Sequence, residues 1–432
     1  MPFAIKPGLA AEGRWLPLDN AAKIFPAGTN KTRTLVFRLM ADIDRPVKFS
    51  TLAEATRLAS LRYPYLTMHL RKGFFWYWLD EDSSAIPILQ DTGEPCQEFR
   101  STWSHQPLCR ILARENKISA EFYHVITDGT GGLEFFKTLL AAYAELEGIA
   151  VPKTGYNHYS STPDPEETED AYNRFFERQV QSPPKISKAY HLPFAAVRPA
   201  SLQLLHCETE AGPVREKARS LGITITEYFV SIYLWALQDI YQNVKNLRNI
   251  GRRPVIRIQV PVNLRSLFPS RTLRNFSLFV TPEIDMRLGT YTFEEISHSV
   301  HHYMQHQTDP KLMKKIIHRN VHGERSFLIR IIPLWLKDRV LKYYFKRSGI
   351  TLYSGLVTNL GRITFDGDFS GFIQKLRIFP PPPDRSRVSL AVVTYNEKMI
   401  LTFSNTSTSR HLEKTFIDFL RTDQIRIKFI NP

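Results

Sequence analysis

A stretch rich in proline, serine and acidic residues, 152–193, with "STPDPEETED" and "VQSPPKISKAYHLP" inside it, divides the sequence into two parts. Each part carries its own periodic hydrophobic segments, whereas this stretch has too few apolar residues to found a core. The chain is therefore expected to fold as two bodies joined by a long crossover. Length points the same way, because 432 residues exceed what one hydrophobic core usually organises. The predicted division is 1–151, 152–193 and 194–432. A hydrophobic fraction of 43% is ample for two cores and argues against wholesale disorder.

Within the first part, "RTLVFRLMADI" (33–43) reads as a strand and "STLAEATRLASLRYP" (50–64) as a helix stopped by proline. "YLTMHLRKGFFWYWLD" (65–80) predicts a hairpin turning at Lys72-Gly73, and 108–126 another turning near Glu115-Asn116. After it, Leu133, Phe136, Leu139, Leu140 and Tyr143 fall on one helical stripe. The second part opens with a strand, continues through helices and ends in four strand-like segments and a helix from His411. Mixed helices and largely antiparallel strands in both parts predict two α+β sandwich domains.

The segment with the most chemical content is "EFYHVITDGTGG" (121–132), at the seam of a predicted strand and helix. Side chains alternate along a strand, so His124 continues the face of Ile118, Ala120 and Phe122. An imidazole titrates near neutrality and can accept a proton from a hydroxyl or amine. Asp128 falls at the helix start, and Gly129, Gly131 and Gly132 leave that turn without side-chain bulk, so that a substrate could approach the backbone. The same residues also fit a plainer reading, with Asp128 or Thr130 as a helix N-cap and His124 as a core histidine.

"HVITDGTGG" resembles the H-x-x-x-D-G motif of the chloramphenicol-acetyltransferase-like superfamily, which includes BAHD acyltransferases, condensation domains, wax ester synthases and alcohol acetyltransferases. "VPVNLRSLFPSRTLRNFSLFV" (260–280) is similar to the family's second-domain Asn/Asp-x-Arg segment followed by a loop and an Asn-Phe strand. "SGLVTNLGRI" (354–363) resembles its S/T-N-x-G segment. The resemblance covers nearly the whole chain and is nearest the bacterial alcohol acetyltransferases. Tyr123 replaces the second histidine of the wax synthases, no D-F-G-W-G occurs, and Arg274 stands where relatives often carry glycine.

This resemblance implies two chloramphenicol-acetyltransferase-like sandwich domains with the active-site channel between them. It also implies direct acyl transfer from acetyl-CoA or a longer acyl-CoA to a hydroxyl, with no covalent acyl-enzyme and no permanently bound cofactor. His124 would be the base, with Asp128 and Gly129 completing the catalytic motif. Arg265 would pair with Asp128 and support the turn, and Thr358 or Asn359 would stabilise the oxyanion, unless they only form a turn. Two other readings remain open: a condensation-type transferase using carrier-protein thioesters, and a non-catalytic relative that binds a membrane or protein partner.

A net charge of +15 predicts an anionic partner. Residues 311–347 hold eleven lysines and arginines against Glu324 and Asp338, so this segment supplies nine of those charges. With "FLIRIIPLWLKDRVLKYYF" inside it, the segment reads either as an interfacial membrane contact or as a core helix with a basic exterior. No nucleic-acid-binding module is recognisable. His298, His302 and His306 share a helix face, which reads as a solvated face, and no metal site is expected. Cys96, Cys109 and Cys207 suit a reducing compartment, and no secretion signal is recognisable at residue 1 onward. These features predict a cytoplasmic protein, or one peripheral at the membrane.

Overall fold

The computed structural model describes residues 15–30, 32–81, 84–99, 106–152, 154–177, 186–197, 202–243, 253–344, 351–365 and 368–430. Two mixed sheets organise the chain. The first has five strands in the order Ile373–Phe379, Val36–Ile43, Lys117–Tyr123, Cys109–Arg114 and Ile88–Gln90. It is antiparallel except at its last pair. Both expected hairpins form, with Lys72 opposite Tyr77 in one and Arg114 opposite Lys117 in the other. The helix Gly129–Leu146 carries the apolar stripe, and Phe136, Leu139, Leu140 and Tyr143 are buried.

The second sheet is larger. Its strands run Ser277–Val280, Val255–Asn263, Gly355–Ile363, Val388–Tyr395, Lys398–Asn405, Gln203–Glu210 and Lys428–Ile430, and Glu283–Asp285 also pairs with Val255–Asn263. Pairing is parallel on both sides of Gly355–Ile363 and antiparallel elsewhere. The helix Ile225–Asn243 lies in the core behind it, with Tyr228, Phe229, Tyr233 and Leu237 fully buried. The chain thus forms two sheet-based α+β layers of mixed, largely antiparallel strands.

Hydrogen bonding does not respect the division at residues 151 and 193. Ile373–Phe379, far into the second part, forms the edge strand of the first sheet against Val36–Ile43. Lys375 on that strand pairs with Glu208 of the second sheet at 2.6 Å, so the strand bridges the two bodies. In the crossover, Asp164 pairs with Arg271 at 2.7 Å, and the Glu167 carbonyl accepts from Leu273 N. Helical structure there includes one short turn, Ala171–Arg174.

The basic segment becomes three helices, Pro310–Arg325, Phe327–Ile331 and Leu334–Tyr344. Residues 345–347 lie outside the described structure. Pro310–Arg325 fits the reading of a core helix with a basic exterior, with Met313, Ile317 and Val321 buried and Lys311, Arg319 and Arg325 exposed, whereas the last helix contradicts it. Its Lys337 and Asp338 are buried, and Trp335 and Val340 are exposed. His298, His302 and His306 lie on the exposed face of Phe293–Gln307.

Candidate active site

The strand Lys117–Tyr123 stops one residue before His124, which begins a turn closed by Ile126 N donating to the Tyr123 carbonyl. His124 still belongs to the sheet edge, because its amide donates to the Leu35 carbonyl at 3.0 Å. Its ring rests against Phe37 and Phe25, with centroids at 4.8 and 5.8 Å. The imidazole is half-buried, and Nδ1 is sealed with no hydrogen-bond partner among the described residues. That geometry leaves Nε2 as the nitrogen open to a substrate. Burial pulls the His124 pKa below the ordinary histidine value, partly countered by the Asp128 charge and by contacts to Asn275 and the Thr127 backbone.

Asp128 is both a helix cap and half of an ion pair. Its Oδ1 accepts from Gly131 N at 3.0 Å, which caps Gly129–Leu146. Arg265 donates from Nη1 to Oδ2 at 2.9 Å and from Nη2 to Oδ1 at 3.3 Å. Phe276 N adds a bond to Oδ2 at 2.9 Å. Each oxygen therefore accepts one amide and one guanidinium donor, so neither is left unpaired in this buried site.

Arg265 spends its remaining donors on its own loop. Nε reaches the Thr272 carbonyl at 2.8 Å, Nη2 the Arg274 carbonyl at 2.6 Å and Nη1 the Asn263 Oδ1 at 3.1 Å. One guanidinium thus ties together loop 263–276 of the second body and the turn that carries the histidine. The cap and the ion pair, alternatives when only sequence is considered, are two uses of one carboxylate.

What comes close to the glycines is the chain itself, and not the substrate expected there. The Leu273 carbonyl accepts from Thr127 Oγ1 at 2.6 Å and from the Tyr65 hydroxyl at 3.0 Å, which sets it directly over the first helical turn. A Cβ at Gly131 would lie 2.0 Å from that oxygen and 2.4 Å from Thr127 Oγ1. At Gly129 a Cβ would come within 3.2 Å of Leu360, so the Gly355–Ile363 strand reaches the same helix start. Asn359 on that strand donates to Thr226 Oγ1 at 3.1 Å and accepts from Gly361 N at 2.8 Å, holding the irregularity between Asn359 and Arg362. Its amide is committed to that local structure. Thr358 is half-buried on the same strand.

Two residues at this seam carry no role in the sequence reading. Asn275 donates from Nδ2 to the His124 carbonyl at 2.8 Å and to Asp19 Oδ2 at 3.1 Å. Asp19 is fully buried, and desolvation raises its pKa to about 6 against the opposing charge of Arg274. Arg274 itself is buried and donates to the Pro17 and Thr168 carbonyls, fastening the short strand Trp15–Pro17 and the crossover to the loop. The Asn-Phe pair in the sequence was the only signal for Asn275, and nothing local pointed to Asp19.

No family model and no curated protein matches this sequence. Solved structures do match its fold. F. graminearum TRI101, crystallised with coenzyme A and deoxynivalenol, aligns over 97% of this chain and 100% of its own at TM-score 0.63 and 9% identity. The trichothecene 15-O-acetyltransferase TRI3 of Fusarium sporotrichioides aligns over 97% and 100% at TM-score 0.61 and 10% identity. The starter condensation domain of rhizomide synthetase RzmA aligns over 95% and 96% at TM-score 0.55 and 12% identity. This chain has the two-domain chloramphenicol-acetyltransferase-like fold. At these identities the likeness is one of fold, and the chemistry has to be argued from the seam around His124.

Proposed function

We propose that this protein is an acyltransferase that moves an acyl group from a CoA thioester to a hydroxyl acceptor, with His124 as general base. The observation that carries the reading is a histidine whose Nδ1 is sealed, whose pKa is lowered by burial, and whose turn is clamped to the second body through Asp128 and Arg265. A lowered pKa keeps the ring neutral and able to take a proton at physiological pH. Neighbours of the same fold that bind coenzyme A or bear an acetyltransferase name support the thioester donor.

In this mechanism Nε2 of His124 takes the proton of the acceptor hydroxyl as its oxygen attacks the thioester carbonyl. The tetrahedral oxyanion then collapses, the C–S bond breaks, and the imidazolium returns the proton to the departing thiolate. No covalent acyl-enzyme forms. Asp128, Gly129 and Arg265 act on positioning, since they hold the turn and touch each other rather than the reacting atoms. Between the two candidates for the oxyanion, Thr358 suits the part better, because the Asn359 amide is already bonded to Thr226 and Gly361.

The RzmA likeness supports a second donor, an acyl group on a carrier-protein phosphopantetheine arm, with the same proton bookkeeping. A CoA-release assay over a panel of acyl-CoAs and alcohols, run beside acyl-carrier donors, separates the two. His124→Ala is expected to lower turnover by about 10²–10⁴-fold with an unchanged melting temperature. Turnover in that variant within about twofold of wild type would exclude His124 as the base, because general-base assistance is worth far more. No release from any donor would favour the non-catalytic reading.

A further inference from the structure

The helix Leu334–Tyr344 is built inside out. Leu334, Lys337 and Asp338 are buried, at helical spacing on one face, while Trp335, Leu336, Val340 and Tyr343 are exposed on the other. Lys337 and one of the two Asp338 oxygens have partners, while Asp338 Oδ1 is buried with no hydrogen-bond partner among the described residues. Lys337 Nζ donates to the carbonyls of Phe75 at 3.0 Å and Arg330 at 3.3 Å, and lies 3.6 Å over the Trp76 ring. Desolvation lowers its pKa to about 8. Asp338 accepts from the Tyr77 hydroxyl at 2.9 Å and pairs with Lys72 at 3.4 Å. These contacts set the rotation of the helix about its axis, so its apolar face is turned outward by the protein itself.

A single exposed tryptophan would call for no explanation. Here several exposed rings sit on segments that are bonded to one another. Leu334 N donates to the Phe74 carbonyl at 2.7 Å, which pins the hairpin tip Phe74-Phe75 beside the helix start. Phe74 is 68% exposed, Phe327 72% and Trp335 57%. Arg325, Arg330, Arg339 and Lys342 are exposed on the same group of helices.

We propose that this face is a docking surface for an anionic lipid membrane. Aromatic rings on one face seat at the boundary between headgroups and acyl chains, and the surrounding cations meet the lipid phosphates. A second copy of this chain would set one basic rim against another and be repelled. A folded acidic protein would satisfy the cations but would need a recess matched to several projecting rings, which a fluid bilayer does not. Among the described residues no single helix is long and apolar enough to cross a bilayer, so the contact is interfacial. The helix also packs on Phe25–Gly28, and Phe25 touches the His124 ring. The helix bearing the surface is therefore separated from the candidate base by Phe25–Gly28, and a lipophilic acceptor or donor would approach from this side; only this last step rests on the acyl-transfer reading.

The test is flotation of the full chain with vesicles of phosphatidylcholine alone or mixed with phosphatidylglycerol. Binding to the mixed vesicles is expected, weakening by at least about tenfold (1.4 kcal/mol) in Phe74→Glu/Trp335→Glu. The surface pair Arg339→Gln/Lys342→Gln, which leaves the apolar contacts alone, is expected to weaken binding and reduce its salt sensitivity. Melting temperature and CoA release with short soluble substrates should stay at wild-type levels in both variants. Failure of CoA release in the wild type would remove the acyl-transfer reading while leaving the flotation result to decide this one. The proposal is overturned by no binding to either vesicle, by equal binding to both, or by binding unchanged in both variants. Discovery that Trp335→Glu instead dissociates a dimer or a complex with an acidic carrier protein, with no vesicle binding, would overturn it equally.

Discussion

Replacing Arg265 tests whether one guanidinium holds the two bodies and the histidine turn together. In Arg265→Ala, Asp128 keeps the Gly131 and Phe276 amides but loses both charged donors, and the carbonyls of Thr272 and Arg274 lose theirs. Removing one partner of a buried pair costs about 3–5 kcal/mol. The side chains here are 12% and 6% exposed, so water reaches the pair a little and the low end applies, about 3 kcal/mol. Arg265→Lys keeps the charge but cannot reproduce a fork with five donors, and is expected to recover only about half of that loss. Urea unfolding of wild type, Arg265→Ala, Asp128→Asn and the double variant gives the coupling directly, expected at about 2 kcal/mol. Because the pair is largely buried, the coupling should change little between low and moderate salt. CoA release should fall through kcat more than KM, since neither residue touches substrate. Single-variant effects that add to within about 0.5 kcal/mol would refute the clamp.

Gly131→Ala places a Cβ 2.0 Å from the Leu273 carbonyl, and neither backbone can retreat without breaking the bonds to Thr127 and Tyr65. It should cost about 3 kcal/mol by thermal or urea unfolding; a wild-type melting temperature would mean that the loop is not docked there. For His124, burial lowers the pKa, so the neutral base survives to lower pH and the acid limb of kcat/KM should fall below the ordinary histidine value. Asp128→Asn removes a charge that raises that pKa, so the limb should move further toward acid as the plateau drops; a shift toward alkali would contradict the assignment. His206, buried between the sheets against Phe379, has its pKa lowered to about 3 by desolvation and by Arg377 and Lys117. The unfolded chain binds that proton more readily, so stability is complete above the unfolded pKa and is lost as pH falls toward the folded one. That loss is on the order of 5 kcal/mol, and His206→Gln should flatten the acid limb of a stability-against-pH curve.

What the sequence determined by itself is local. Alternation and helical spacing sufficed for the hairpins at Lys72-Gly73 and Glu115-Asn116 and for the buried stripe on Gly129–Leu146, because each is decided by neighbours a few residues apart. The pairing of Asp128 with Arg265 came from the family resemblance rather than from any local pattern, and the glycines after Asp128 marked a close approach by the Leu273 backbone where a substrate was expected. Tertiary structure supplied the rest. Which sheet receives Ile373–Phe379 depends on an open edge beside Val36–Ile43, and no local pattern encodes that vacancy. Asn275 and Asp19 act on His124 through contacts spanning much of the chain, so their types alone carry no signal. The helix Leu334–Tyr344 makes the point most sharply. Its composition fits either orientation, and it took carbonyls of Phe75 and Arg330, the Trp76 ring and the Tyr77 hydroxyl to draw Lys337 and Asp338 inward. A charge turns inward only where a preformed set of partners replaces its water, and that set exists only once the chain has folded.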